Sequence, residues 1–223
     1  MARIARVVLE GRPHHVTQRG VRSMKVFSGG RDYREYLRLL RREAEAKVLE
    51  VFSWCLMPNH IHLVVTPQEK SVLAEAIGEA HKRYTRSVNF REGVRGYLFQ
   101  GRFYSCPLDE RHFMAAVRYV ERNPVRAGLA KEAWQYAWSS AAYHVGLVKE
   151  DPLVKSREPY GLAGADDWRD LLRRDPEEIV HLRRSTSTGR PCGGASFVEL
   201  AEELTGLVLH PLRPGRPPGR QSK

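Results

Sequence analysis

Cysteine is scarce in this sequence, and the cysteines form no close pair. Cys55, Cys106 and Cys192 are odd in number, and no two of them are separated by two residues. A small secreted protein that depends on disulfides carries an even set of cysteines at regular spacings. The pattern therefore argues against a disulfide scaffold and predicts a reducing compartment, which makes the cytoplasm the expected location.

Long apolar runs are also missing. No stretch approaches the ~20 consecutive apolar residues that a membrane-spanning helix needs. Near the start, the apolar run is only Val7-Val8-Leu9, which is too short for the core of a signal peptide. The phosphate-binding pattern GxxxxGK followed by Ser or Thr does not occur either. We therefore expect neither a membrane partner nor a nucleotide cofactor.

Acidic residues are outnumbered by basic ones. The 223 residues contain 37 Lys and Arg against 26 Asp and Glu, which gives a formal net charge of +11 and a pI of about 9.9. Such an excess favours a polyanionic partner, because each basic side chain set against a phosphate releases counterions. Nucleic acid is the leading candidate, and a basic surface without a partner is the alternative.

Strand-like and helix-like segments alternate over the first two thirds of the chain. Their order is strand, helix, strand, strand, helix, strand, helix. This is the split βαβ pattern of ferredoxin-like folds with one extra helix. We predict an α+β fold, a ferredoxin-like antiparallel sheet with helices on one face. The predicted strands are 14–18, 51–57, 60–66 and 102–108, and the predicted helices are 32–47, 71–87 and 109–123.

The composition changes after residue 150. Two helical patterns, at 166–174 and 176–184, are followed by residues 185–194, whose Ser, Thr, Gly and Pro content is typical of a flexible linker. Residues 210–223 contain four prolines, three arginines, one lysine and no acid, which favours a disordered basic tail. We expect a main domain at 1–148, a small helical accessory region at 149–206 and a basic Pro/Arg-rich tail at 207–223.

Two histidines lie two residues apart in the segment Met57-Pro58-Asn59-His60-Ile61-His62. On a strand, side chains two apart point to the same face, so His60 and His62 converge while Ile61 faces the core. Two imidazoles on one strand supply half of a divalent-metal site. The alternative is a pair of structural histidines on a polar face.

The helix predicted at 109–123 carries a second candidate group. At ~100° per residue, His112, Ala116, Tyr119 and Asn123 form one stripe beside the apolar stripe. Tyr119 and Asn123 are neighbours on the helix surface, so one can reach a metal while the other lies beside it. The alternatives are a boundary aromatic for Tyr119 and a helix end before proline for Asn123. His112 is a weak candidate for the base that deprotonates Tyr119.

Four segments together resemble one family. RPHHVTQRG, WCLMPNHIHLVV, FQGRFYSCPLDE and RYVERNPVRAGL are similar to the REP-associated tyrosine transposases. These belong to the one-tyrosine HUH endonucleases of small insertion sequences, where HUH denotes His, a bulky hydrophobe and His. The resemblance runs from about Arg12 to Gly146, so it makes the segment 1–148 an HUH tyrosine transposase catalytic domain.

The resemblance implies an activity and assigns residues to it. It implies a bacterial enzyme that nicks and rejoins single-stranded or hairpin DNA of the repetitive extragenic palindrome type, through a covalent 5′-phosphotyrosine. Tyr119 matches the nucleophile, and His60, His62 and Asn123 match the metal ligands. The neutral amide oxygen of Asn123 suits Mg²⁺ or Mn²⁺. The oligomeric state stays open between monomer and dimer.

Basic and aromatic residues suggest where DNA would lie. Cations that meet phosphates and aromatic rings that stack on bases suit a single strand, although half of the aromatics should be core. Gly215-Arg216-Pro217 looks like the core of an AT-hook, which inserts Arg into a narrow minor groove; a solvated tail is its alternative. The candidate DNA contacts are Arg83, Arg86, Arg95, Arg102, Tyr104 and Arg216.

Two other functions remain open from the sequence. A non-catalytic protein that binds DNA or RNA hairpins with the same fold would use the same basic surface. A zinc protein would use Cys55, His60, His62 and Cys106, although strand alternation does not obviously direct Cys55 to the same point as the two histidines.

Overall fold

The computed structural model describes residues 5–157 and 165–210 and contains one four-stranded sheet. The strand order is β2-β3-β1-β4, and every neighbouring pair is antiparallel. Each predicted strand lies within two residues of an observed one, because short alternating segments bounded by turn residues define strands well. The strands are β1 His14–Arg19, β2 Leu49–Met57, β3 His60–Pro67 and β4 Tyr104–Pro107.

Helices cover both faces of the sheet. The predicted α+β class with an antiparallel sheet is confirmed. The prediction that the helices lie on one face is wrong, because α3 and α7 pack on the face opposite α1 and α2. Among the described residues, no helix has the length and apolar content needed to cross a membrane. The helices are α1 Gly30–Ala46, α2 Val72–Glu92, α3 Glu110–Glu121, α4 Asn123–Arg126, α5 Ala141–His144, α6 Ala165–Leu171, α7 Ile179–Thr188 and α8 Ala195–Thr205.

Strand β3 shows why both faces are covered. Ile61, Leu63 and Val65 alternate into the core beneath α1 and α2, whereas Val64 packs with α3 on the other face. A strand buried on both faces reads as a continuous apolar run. The run from Leu63 to Val65 therefore carried the signal for a second helical layer, and His62 lies on the α3 side of the sheet.

A buried carboxylate fixes helix α3 against its neighbours. Glu121 is fully buried and accepts hydrogen bonds from Ser140 Oγ at 2.5 Å, His144 Nδ1 at 2.5 Å and Trp168 Nε1 at 2.9 Å. Burial alone would lower the pKa of His144, but the charge of Glu121 and its hydrogen bond outweigh burial and raise it. The protonated imidazole thus stabilises the fold below pH ~6.5, and this contribution is lost as pH rises through the raised pKa.

Replacing Glu121 should therefore destabilise the whole domain. Glu121→Ala leaves a buried histidine and an indole N–H without their acceptor, and removing one partner of a buried ion pair costs about 3–5 kcal/mol. Glu110→Ala, at an exposed position in the first turn of α3, is the matched control. Urea unfolding would measure both, and equal losses would show that Glu121 does not anchor α3.

The accessory region packs into the same core as α3. Trp168, Leu172 and Leu182 share a cluster with Phe113 and Val117. The predicted linker at 185–194 is wrong: its first four residues lie in α7, and its end is fixed by two backbone hydrogen bonds between Cys192 and the Pro107–Asp109 segment. Small polar residues were mistaken for a flexible chain because burial depends on distant partners.

The end of the chain is described only in part. Leu209 packs with Val7 and Leu9. The predicted tail beyond residue 210, including the candidate DNA contact Arg216, lies outside the described residues. The domain boundaries at residues 148 and 206 stay predictions.

Candidate active site

The four residues predicted to carry the chemistry line one depression. His60 and His62 come from β3, while Tyr119 comes from α3 and Asn123 from the start of α4. The depression has a volume of 520 Å³. The sheet supplies the histidines and the helix packed on the same face supplies the tyrosine, so the fold brings together residues nearly 60 positions apart. Arg183, Thr186 and Ser187 of α7, with His15, Thr17, Gln18, Arg19, Gln100 and Tyr104, complete the lining.

The two strand histidines each have one nitrogen engaged by a neighbour. Their ring centroids lie 5.0 Å apart. His60 Nδ1 lies 2.6 Å from Asn59 Oδ1, and His62 Nδ1 lies 3.0 Å from His15 Nε2. Partners on Nδ1 orient a ring for coordination through its other nitrogen. Nε2 is therefore the available ligand atom of both histidines.

These imidazoles are neutral near pH 7. Burial, helped by the charge of Arg19, lowers the pKa of His60 to about 4. Burial, together with neighbouring histidines and arginines, holds the pKa of His62 well below its usual value. Burial also lowers the pKa of His15 to about 3. A metal binds neutral imidazole, so no proton has to be displaced from His60 or His62 at neutral pH.

A chain of hydrogen bonds from α7 sets the proton positions on His62. The Thr186 hydroxyl donates to Leu182 O at 2.8 Å, so it accepts from His15 Nδ1, which lies 2.7 Å away. His15 Nε2 then carries the lone pair and accepts from His62 Nδ1. The result is a lone pair on His62 Nε2, the atom available to a metal.

Tyr119 lies against these histidines and between two arginines. Its ring meets the rings of His62 and His15 edge-on, with centroids 5.6 Å away in both cases. Arg183 Nε donates to Tyr119 Oη at 3.4 Å, and the Arg126 guanidinium lies 4.2 Å from the ring centroid. Positive charge therefore lies close to both the ring and the oxygen of Tyr119.

Asn123 lines the same pocket as the two histidines and offers a third donor of a type that fits a divalent cation. Its Nδ2 donates to Tyr119 O at 3.1 Å and Val120 O at 3.2 Å. This leaves Oδ1 as its ligand atom. Two neutral imidazoles and one amide oxygen match a site for a divalent metal that also has water or phosphate ligands. The residues present therefore fit the metal that the sequence predicted.

A second depression contains three of the six predicted DNA contacts. Arg86, Arg95 and Arg102 line a groove of 760 Å³ between α2 and the loop that follows it. We call this the basic groove; Lys82, Phe90 and Tyr97 also line it. Arg83 is not in its lining and pairs instead with Glu43 at 3.2 Å and Glu79 at 3.0 Å.

The aromatic residues of this region divide between core and surface. Tyr84, Phe99 and Phe103 are buried in the main core, while Phe90 is 89% and Tyr97 91% exposed. The expectation that half of these aromatics are core is confirmed. Tyr104, predicted as a DNA contact, is 38% exposed and lines the depression with Tyr119.

The structure does not bring together the residues required by two of the alternatives from the sequence. The zinc set of Cys55, His60, His62 and Cys106 is wrong, because the His, Cys, Asp and Glu side chains that converge within 4.8 Å in residues 5–157 and 165–210 are His112, His181 and Cys192. His112, a weak candidate base for Tyr119, binds Asp109 Oδ1 at 2.6 Å and does not line the Tyr119 depression.

Sequence reasoning missed four residues of the site. His15 pairs with Val64 and Thr17 pairs with His62. Val64 and His62 are two apart on β3, so His15 lies on the same face of the sheet as His62, and strand alternation could have indicated it. Arg126 follows Tyr119 by seven residues, which is helical spacing. Arg183 and Thr186 carried no signal, since only tertiary packing brings α7 to β1.

The sheet and the pocket first define a class: a ferredoxin-like α+β protein with a His-x-His strand facing a helix-borne tyrosine. The chain is similar to the structure of a REP-associated tyrosine transposase bound to a REP hairpin, with a TM-score of 0.57 and 18% identity, covering 70% of this chain and 92% of that chain. It also matches a putative transposase from Deinococcus radiodurans R1, with a TM-score of 0.38 and 17% identity over 54% of this chain and 97% of that chain.

The family follows from the sequence model. The model for "Transposase IS200 like" matches residues 12–123, which is half of the 223-residue chain. The chain belongs to the IS200-like transposase family. A search of the curated proteins gives no match. The matched segment contains His60, His62, Tyr119 and Asn123 but ends well before α7.

Proposed function

We propose that this transposase cuts and rejoins single-stranded or hairpin DNA with Tyr119 as the nucleophile. The observation that carries the proposal is the edge-on contact of Tyr119 with His62 inside one pocket, 5.6 Å between centroids. His60, His62, Tyr119 and Asn123 of one copy line the same pocket. This supports action by a monomer.

The chemistry is a transfer of one phosphodiester bond. Tyr119 Oη, after loss of its proton, attacks the phosphorus in line and forms a new P–O bond. The bond to the 3′ oxygen of the preceding nucleotide breaks, and that oxygen takes a proton and leaves as a 3′-hydroxyl. The product is a 5′-phosphotyrosine. Attack by another 3′-hydroxyl reverses the step, so rejoining needs no ATP.

The residues of the pocket divide this work. His60, His62 and Asn123 would hold Mg²⁺ or Mn²⁺, which when bound withdraws charge from the phosphate and aligns it. Arg183, 3.4 Å from Tyr119 Oη, stabilises the charge on the phenolate. Arg126 holds the backbone oxygen of Tyr119 at 2.6 Å, which fixes the position of the nucleophile.

The basic groove supplies a path for the DNA. Gly101, Arg102 and Phe103 line the basic groove, while Gln100 and Tyr104 line the pocket, so one short segment borders both. Exposed Phe90 and Tyr97 offer faces on which unpaired bases stack, worth about 1–3 kcal/mol per base. The REP hairpin bound to a structural neighbour supports a hairpin substrate.

Substrate form tests this function. We expect cutting of a single strand and of a hairpin, and resistance of the perfect duplex, because each base extracted from a duplex costs a few kcal/mol. One sequence would be presented in the three forms at fixed salt and Mn²⁺, with the covalent protein–DNA band followed on a denaturing gel. Equal cutting of all three forms would favour an ordinary duplex nuclease.

The Thr186–His15–His62 chain predicts a long-range effect on metal binding. Thr186→Val keeps the shape of the side chain but removes the hydroxyl that holds His15, and loss of such an outer partner weakens metal affinity about 10–100-fold. Mn²⁺ binding followed by electron paramagnetic resonance would measure it. Thr188→Val, which changes an exposed threonine at the end of α7, is the control. Unchanged Mn²⁺ affinity in Thr186→Val would remove this chain from the site.

A further inference from the structure

A second group of metal-ligating side chains lies outside the candidate active site. His112 is on α3, His181 is on α7 and Cys192 is in the segment between α7 and α8. One ligand atom from each lies within 4.8 Å of the other two. None of the three lines the Tyr119 pocket, and the proposed reaction uses none of them.

His112 is oriented as metal-bound histidines usually are. Asp109 Oδ1 accepts from His112 Nδ1 at 2.6 Å and from the His112 backbone N at 2.8 Å. Because a carboxylate can only accept, the Nδ1 atom carries the proton and Nε2 carries the lone pair. A carboxylate behind a histidine in this way fixes its tautomer and makes it a better ligand.

Asp109 also fixes the segment that carries the thiol. Its Oδ2 accepts from Gly194 N at 3.0 Å, and Asp109 N donates to Cys192 O at 3.1 Å. A Cβ on Gly193 would lie 2.8 Å from Asp109 Oδ2 and 2.4 Å from the Phe197 ring. The close approach of this glycine to Asp109 lets the Cys192 segment pack directly against the start of α3.

The spacing needs little adjustment to accept a tetrahedral ion. His181 Nδ1 donates a hydrogen bond to His112 Nε2 at 3.1 Å, and an ion bound between these two nitrogens would displace that proton. Two nitrogens bound to tetrahedral Zn²⁺ at about 2.0–2.1 Å are separated by about 3.3 Å. A thiolate at about 2.3 Å from the ion lies about 3.6 Å from each nitrogen. Cys192 Sγ lies within 4.8 Å of both nitrogens, so it has to approach them by about 1.2 Å at most.

We propose that His112, His181 and Cys192 form a zinc site. One thiolate and two imidazoles suit a borderline-soft cation, whereas Mg²⁺ and Mn²⁺ prefer oxygen ligands. His112 and His181 border an open depression of 420 Å³, so water can take the fourth position. The donor set differs from that of the Tyr119 pocket, so the two sites select different ions.

Such a site would link α7 of the accessory region to α3, the helix that carries Tyr119. His112 is seven residues before Tyr119 on α3, and His181 is two residues before Arg183 on α7. A zinc ion between them fixes the relative position of the two helices that meet at the phenol. The proposal stands on its own, since the zinc site exists or not whether Tyr119 cuts DNA or not.

Zinc binding by the full-length protein is the test. Chelator-stripped protein would be titrated with Zn²⁺ against a chromophoric competitor in a His60→Ala/His62→Ala background, which removes the other candidate metal site. We expect one Zn²⁺ per chain. Co²⁺ should give a thiolate-to-metal charge-transfer band in the near ultraviolet, because only a bound cysteine produces it.

Three substitutions decide the assignment. Cys192→Ser should abolish the cobalt band, and His181→Ala, at an exposed position, should abolish tight binding without unfolding the protein. Asp109→Asn keeps a good helix cap but removes the charge behind His112, so zinc affinity should fall about 10–100-fold. His210→Ala, at an exposed position, is the matched control and should bind as the parent does. No zinc bound by the parent, or an unchanged cobalt band in Cys192→Ser, would overturn the proposal.

Discussion

Tyr119→Phe is expected to abolish both DNA cutting and the covalent protein–DNA band while leaving DNA affinity nearly unchanged. The substitution removes one oxygen, the proposed nucleophile, and keeps the ring that packs edge-on against His15 and His62. The lost hydrogen bond to Arg183 costs about 1 kcal/mol, so the protein should stay folded. A denaturing gel with hairpin DNA and Mn²⁺ measures the adduct, and a filter-binding assay measures affinity.

Tyr104→Phe is the matched control for this experiment. Tyr104 lines the same pocket but lies on the β4 edge of the sheet, so its variant should still form the adduct. If Tyr119→Phe keeps the adduct and Tyr104→Phe loses it, the nucleophile has been assigned to the wrong residue. A native protein that binds hairpins but never forms an adduct with either Mg²⁺ or Mn²⁺ would be a non-catalytic binding protein.

The residues of the pocket that the sequence identified share one property: each lies in a locally regular segment. His60 and His62 are two apart on a strand, and Tyr119 and Asn123 are four apart along consecutive helical turns. Strand and helix periods fix which side chains share a face. The resemblance to a family then indicated that the two faces meet, which periodicity alone does not determine.

Residues that act across long sequence separations were not predictable in this way. Thr186 reaches His15 over 171 positions, and Arg183 reaches Tyr119 over 64. Both lie on α7, part of which has the Ser and Thr content of a linker. Local composition cannot distinguish a hydroxyl exposed on a linker from one buried against a histidine, because the difference lies in the packing partner.

Charged residues on α2 show the same limit. Arg83 and Arg86 are three apart on one helix and looked equivalent in the sequence, since both follow the histidine strand. In the structure Arg83 pairs with Glu43 of the neighbouring helix α1 and with Glu79, whereas Arg86 lines the basic groove. Which arginine meets an acid from another helix depends on how α1 and α2 cross, and no local pattern records it.

His60→Ala and His62→Ala should each remove metal-dependent cutting. Each substitution deletes an imidazole whose Nε2 is the atom available to the cation, and losing a direct ligand should lower activity at limiting Mn²⁺ by more than the ~10–100-fold typical of outer partners. Rates would be measured on a hairpin over a wide range of Mn²⁺ concentration. Asn123→Ala should be milder and should recover at high Mn²⁺, because water can take the place of an amide oxygen.

Measuring the unfolding stability of the two variants distinguishes a metal-binding role of each histidine from a structural one. His60 is partly exposed, so His60→Ala should unfold at nearly the same urea concentration as the native protein. His62 is buried, and its removal leaves His15 Nε2 without a donor, which costs about 1–3 kcal/mol. His210→Ala, which changes a half-exposed histidine far from the pocket, should alter neither rate nor stability. Normal cutting by His60→Ala at limiting Mn²⁺ would show that this histidine is structural. The proposed metal site would then lose the more exposed of its two histidine ligands.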